Sequence, residues 1–412
     1  MRAVPSRVDE MTKQNLDQNA TEAGHPSRLL SLDAYRGLVM LLLAFSAAHW
    51  NWMVPIEKAH EDSPWTIGLL EQFEHVDWQG LVLWDMVQPS FMFMVGMSMA
   101  YSYLSRERQG QSYTRMLGHA IYRAIVLILL GVFLRSLDKN SIYWTFEDVI
   151  TQIGLGYVFL FLLWKRAWQV QLACAFGLLF LYWCLFAFWP LPDDSFQYGA
   201  AFSSKYYTGF FEHWNKNTHP AHLFDVWFLN FFPREQDFVA HEEGYNTLNF
   251  IPSLATMIFG LMAGELLRKK LEPREKLKLL VVGGLLLATL GCVLQLAGIC
   301  PIVKKIWTPS FGLLSTGLCL IVLAFLYAVI DILKWQRWAQ PAVIVGRNSI
   351  AMYCMIYMTS IWWLNTLHRH LGTAPFRVLG DSHQLLLENL SVGLCLLLIA
   401  YWMNRRGLFL RI

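Results

Sequence analysis

The sequence predicts an all-α membrane protein, a polytopic bundle of about ten transmembrane helices with a long outer loop between spans five and six. Three observations carry this reading. Of 412 residues, 55% are hydrophobic and only 15% charged, and the mean hydropathy is +0.36; a soluble domain carries about 25% charged residues. The apolar residues come in blocks of about 20, the length that crosses a hydrocarbon core of roughly 30 Å as a helix. Inside the blocks Leu, Ile, Val and Phe run continuously. That pattern excludes a barrel strand, the other element that satisfies its backbone in lipid.

Taken in order, Met1–Arg28 is polar and lacks the apolar core of a signal peptide. It reads as a disordered cytoplasmic tail, and 29–412 as the transmembrane domain. Spans are expected near Ala34–Met53, Trp78–Leu104, Leu117–Leu134, Asp148–Trp164 and Ala167–Phe188, then Leu248–Leu267, Leu277–Leu296, Ser310–Leu333, Pro341–Leu364 and Leu386–Asn404. Span two is long and carries Pro89, which would kink it. Between spans five and six, Pro190–Thr247 is rich in aromatics, histidines and carboxylates. Short helices folded over the outer mouth are expected there, since a structureless loop of that length is unusual. Aromatics mixed with polar groups suit a carbohydrate surface as well as an interfacial belt.

Lys and Arg set the topology. One set of connections holds Arg106, Arg108, Arg115, Lys165, Arg166, Arg268–Lys270, Arg274, Lys334, Arg337 and the tail Arg405–Arg406; the opposite set is longer, more acidic and richer in aromatics. Both termini therefore face the cytoplasm. The net charge of +3 is small and points to no nucleic-acid partner. The seven cysteines lack metal or redox spacing, and the loop histidines form no tight ligand pair, so no metal is expected.

The stretch EHVDWQGLVLWDMVQPSFMFMVG, Glu74–Gly96, puts an imidazole, His75, at the entrance to span two and a carboxylate, Asp85, within it. An ionisable group inside a span costs about 2.5–3.5 kcal/mol and marks a functional candidate. With a pKa near 6.5, His75 can act as acid or base near neutral pH, or as a nucleophile; it could instead cap the helix at the interface. On a continuous helix Asp85 would lie about 15 Å from His75, too far to orient it. Glu74 and Asp77 are nearer.

The order of SLDAYRGL (Ser31–Leu38), His75–Gly96, NTLNFI (Asn246–Ile251), PIVKKIWTPS (Pro301–Ser310), GRNSIAMY (Gly346–Tyr353) and RRGLFLRI resembles the heparan-α-glucosaminide N-acetyltransferase family. The likeness is greatest to its bacterial members, which carry a domain of unknown function. It runs from about Arg28 to Ile412. The resemblance implies acetyl transfer across a bacterial inner membrane, from cytoplasmic acetyl-CoA as cosubstrate to an amino-sugar or glycan acceptor outside. It places the catalytic histidine on His75. The family's lysosomal members carry an additional N-terminal span, and an Asn late in the first span where this sequence has Ala47; Ser46 or His49 could supply a polar group nearby.

On this reading Arg36, Arg123 and Asp85 are the expected contacts for CoA, the arginines with its phosphates. Trp78, Asn249, Lys304, Trp307 and Asn348 are the expected acceptor pocket. A transporter or flippase for a glycan or lipid-linked precursor is the alternative, and a homodimer is left open beside a monomer. A cysteine introduced near Gly110 is expected to escape an impermeant thiol reagent in intact cells, and one near Gly199 to react. The reverse labelling would overturn the topology.

Overall fold

The computed structural model describes residues 29–192 and 206–410. The expected tail Met1–Arg28 and residues 193–205 of the long loop, Gly199 among them, lie outside the described residues. The described chain is helical, its one β-type pairing an isolated antiparallel bridge between Gln79 and Val303. The helices are α1 (Leu30–Ala44), α2 (Val54–Ala59), α3 (Pro64–Leu70), α4 (Val87–Arg108), α5 (Tyr113–Arg135), α6 (Val149–Leu163) and α7 (Trp168–Ala187). They continue with α8 (Pro220–Leu229), α9 (Phe250–Arg268), α10 (Pro273–Leu296), α11 (Pro309–Leu326), α12 (Gln340–Arg347), α13 (Ser349–Leu371) and α14 (Gln384–Arg405). Between α7 and α9 the described part of the long loop holds α8 and a 3₁₀ turn, Gly209–Trp214.

Among the described residues six helical stretches are long and apolar enough to cross a membrane: α5, α7, α9, α10, α11 with its π-helical end, and α14. The expectation of ten spans is therefore met only in part. The expected first and fourth spans are the 15-residue α1 and α6, below the usual crossing length. The 22 residues of α4 are long enough but carry polar groups such as Gln88, Ser90, Ser98 and Ser102. It tolerates them because it runs through protein: Met92, Phe93, Met94, Met97, Met99 and Ala100 are all buried. By contrast α10 exposes Leu279, Val282, Leu285, Leu286, Leu290 and Val293, an apolar face fit for lipid.

Span two does not begin at Trp78. The chain from Glu74 to Leu83 is irregular, Trp84–Met86 forms a 3₁₀ turn, and α4 starts at Val87. Pro89 consequently falls in the first turn of α4, where backbone N–H groups have no intrahelical partner anyway. It does not interrupt the helix, which runs on to Arg108.

Two close crossings shape the core, α1 against α12 at Gly37 and Gly346, and α4 against α9. A Cβ added at Gly96 would sit 1.9 Å from Met257 O, and one at Gly260 would sit 2.0 Å from Phe93 O. Only hydrogen atoms fit between these backbones, so the helices meet closely there. We expect Gly260→Val to lower stability by about 3 kcal/mol or more, since backbone rather than a side chain must yield. Gly118→Ala, which would meet nothing within 4 Å on α5, should be neutral or stabilising by up to about 1 kcal/mol. Thermal unfolding in detergent measures both.

Candidate active site

The irregular chain before α4 brings together residues that a continuous helix would separate. His75 Nδ1 lies 2.7 Å from Asp85 Oδ1. The turn at Trp84–Met86 folds the carboxylate back toward the imidazole, which corrects the expectation that a separation of ten positions keeps them apart. Asp85 is fully buried, and its Oδ2 also accepts the Val82 backbone N–H at 3.3 Å.

A third group completes the centre. Lys304 Nζ lies 3.2 Å from the same Asp85 oxygen, 2.9 Å from His75 Nδ1 and 3.3 Å from Nε2. A carboxylate only accepts, so the imidazole must donate Nδ1–H to Asp85, and the ammonium donates to it as well. That leaves Nε2 as the basic nitrogen of the ring. Burial first, and then the Lys304 ammonium, hold the His75 imidazolium below the usual histidine range, against the opposing pull of Asp85. Burial likewise pushes the Lys304 ammonium down to about 8, while Asp85 favours its charged form.

Lys304 is aimed by a tight turn. Trp307 N donates to Lys304 O at 2.8 Å and Thr308 N to Val303 O at 3.0 Å. Closing that turn puts Trp307 at φ 46°, in the left-handed region, where a bulky side chain is strained by about 1–3 kcal/mol. Its indole is buried, 1% exposed, edge-on to Phe311. The Gln79–Val303 bridge and the Gly80 N–H to Ile302 O bond at 3.0 Å fasten this turn to the chain that carries His75.

The other residues singled out from the sequence separate into two groups by position. Asn249 Nδ2 donates to Lys305 O at 2.8 Å, and Trp78 Nε1 to Trp214 O at 3.1 Å. With Trp307 they are buried supports of the loops that present His75 and Lys304. Asn348 belongs elsewhere. Its Nδ2 donates to Leu408 O at 2.8 Å and its Oδ1 accepts Leu410 N–H at 3.1 Å, so it straps the segment after α14 at the Arg106 end of the bundle. Asp85, assigned above to CoA, instead belongs to the His75 centre. His49, the neighbouring imidazole, is paired with Glu388 at 2.7 Å. Ala47 is buried, and the adjoining Ala48 and His49 N–H groups both donate to Asn389 Oδ1 at 2.9 Å.

At the opposite end α1, α4, α5, α6, α12 and α13 enclose a cavity of about 540 Å³. Arg36 and Arg123 line it as expected, joined by Arg106, Arg347 and three serines of α4. Deeper in, the lining turns apolar with Met40, Phe91 and Ile153, and Tyr353 stands among them, its hydroxyl donating to Asp148 at 3.2 Å. Arg106 and Arg347 escaped sequence reasoning because sidedness alone accounts for a cation at such an end. Tyr245, whose ring centre is 5.8 Å from Lys304 Nζ, carried no sequence signal beyond its place next to NTLNFI.

The fold and the two sites define a polytopic helical membrane protein with a His–Asp–Lys centre at one end of a buried helix and an arginine-lined cavity at the other. No family model matches the chain, so the expected domain of unknown function finds no support. The mouse protein named heparan-alpha-glucosaminide N-acetyltransferase is 23% identical over 470 aligned positions, which cover 99% of this chain and 64% of the mouse protein. The human protein of that name is 26% identical over 166 positions, 37% of this chain and 21% of the human protein. The chain is thus a distant relative of these proteins and spans less than two thirds of their length.

The geometry implies strong coupling between Asp85 and Lys304. Asp85→Asn leaves a buried ammonium without its counter-charge and should cost about 3–5 kcal/mol of stability. The double change Asp85→Asn with Lys304→Met should recover most of that loss. Additive losses in a denaturation cycle would show that the pair is not coupled.

Proposed function

We propose that this protein is a membrane N-acetyltransferase that takes the acetyl group of acetyl-CoA from the cytoplasmic side. The acceptor would be the amine of an amino sugar or glycan on the opposite side. One observation supports the reading above the others: a neutral imidazole poised by Asp85 and an arginine cavity stand at the two ends of one helix, α4. The names of the distant relatives point the same way. Both termini and the arginine cavity would then face the cytoplasm, and the His75 centre the outer side.

In this reaction the acceptor nitrogen attacks the thioester carbonyl carbon. His75 Nε2 takes a proton from the nitrogen as the N–C bond forms. The C–S bond then breaks, and the imidazolium returns a proton to the departing thiolate. Asp85 holds the Nδ1–H tautomer and balances the imidazolium charge. The Lys304 ammonium beside the ring supplies positive charge for the tetrahedral oxyanion. A two-step route through acetyl on Nε2 uses the same groups, and mass spectrometry of protein quenched with acetyl-CoA alone separates the two. A transporter would need the same cavity but would release its cargo unchanged.

We expect His75→Ala to lower transfer by about 10²–10⁴ in a direct route, and by more if the ring carries the acetyl group. The wild-type rate should be lost as pH falls through a midpoint below the usual histidine value, because the base must be neutral. It should fall again above about pH 8, where Lys304 loses its proton. Lys304→Met should remove the alkaline limb. Transfer at the parent rate by folded His75→Ala protein would place the chemistry elsewhere.

A further inference from the structure

The arginine cavity is over-supplied with positive charge. Arg36 is committed: it pairs with Asp33 at 3.7 Å and donates to Gly346 O and Ser98 Oγ. Arg106, Arg123 and Arg347 have no carboxylate within ion-pair distance among the described residues. Arg106 Nη2 meets the His119 imidazole at 2.7 Å. Arg123 lies over the Tyr157 ring at 4.9 Å, and Arg347 Nη1 reaches Asn404 Oδ1 at 3.4 Å. The Nε groups of Arg123 and Arg347 are both buried without an acceptor. Each guanidinium offers five N–H donors, so most of this capacity is unspent.

The three sit at different depths. Arg106 is in the last turn of α4, and Arg347 ends α12 beside the strapped segment Leu408–Leu410. Both are at the rim. Arg123 is ten residues into α5, roughly 15 Å from that end at 1.5 Å per residue. A donor entering thioester first leaves its diphosphate inside and its nucleotide end at the rim. The diphosphate carries about two charges, and a phosphomonoester adds about 1.5–2 more. Two unpaired rim guanidiniums match that addition, with the forked geometry that suits phosphate.

We infer that Arg106 and Arg347 read the 3′-phosphate of CoA at the rim of the cavity, while Arg123 holds the diphosphate within it. This rests on acetyl-CoA as the donor. It makes the rim a specificity device that distinguishes CoA from dephospho-CoA and from acylated phosphopantetheine. The same phosphate chemistry could be supplied by an anionic lipid headgroup or by free phosphate, and the test separates them.

Calorimetry on the purified full chain in detergent would compare CoA with dephospho-CoA. The wild type should bind CoA roughly ten- to a hundredfold more tightly, the size of one charged hydrogen-bonded contact. R106Q and R347Q should lose that preference and keep the affinity for dephospho-CoA, which also shows that they fold. R123Q should weaken both ligands alike. Millimolar inorganic phosphate should compete weakly, and phosphatidylglycerol micelles should leave the preference intact. Equal wild-type affinity for the two nucleotides overturns the assignment and leaves the donor reading standing, as does loss of the preference to phosphatidylglycerol, which would give the rim to a lipid. A wild type that binds neither nucleotide overturns the donor reading itself.

Discussion

The molecule turns on one buried oxygen. Asp85 Oδ1 faces both the His75 ring and the Lys304 ammonium, within 2.7 and 3.2 Å. None of the three would be stable in that position alone. A carboxylate with no exposure needs a counter-charge, a buried ammonium needs an acceptor, and the imidazole needs a partner to fix its tautomer. Together they cancel most of their desolvation cost and hold a ring nitrogen basic near neutral pH. The strained turn at Trp307 and the Gln79–Val303 bridge are the scaffold this arrangement requires, since Lys304 and His75 come from loops far apart in sequence.

The helix that leaves this centre also defines the other site. α4 begins two residues after Asp85 and ends at Arg108, and the arginine cavity runs along it from Phe91 to Arg106. It can be polar along that face only because α9 seals another side of it at the Gly96 and Gly260 contacts. The cavity lining also includes apolar residues and Tyr353, whose hydroxyl bonds Asp148; that carboxylate in turn pairs with Arg135 at 3.1 Å. A buried polar cluster is thus anchored to the cavity wall through Tyr353.

Much of this was legible in the residues. Continuous apolar blocks gave the helical membrane class, and the imidazole at the head of span two marked the centre. Lys304 was named beside His75 among the expected site residues, and Arg36 and Arg123 do line one cavity. What misled was the assumption that an apolar stretch is helical throughout. Trp78–Met86 is apolar enough to extend the span, yet it is irregular and turns, so linear spacing placed Asp85 far from His75. Nor do single residues reveal an end-to-end partner. Asn348 lies in a motif that also contains cavity residues, and its amide is used entirely on backbone of the segment after α14. Four of the expected spans, α1, α4, α6 and α13, do not stand out by length and hydropathy together: α1 and α6 are short, and α4 and α13 carry polar residues among their apolar ones.

That amide has a practical side. Asn348 holds Leu408 and Leu410 at the margin of the arginine cavity, and Leu410 is part of the cavity wall. Anything joined to the chain after Leu410 is therefore delivered to the doorway through which a ligand would come. An affinity tag or fluorescent reporter placed there would compete for that space and load the strap, whereas one placed ahead of α1 is attached to a helix whose first turn carries no cavity residue. The choice of labelling end, usually a matter of convenience, is here a choice about access.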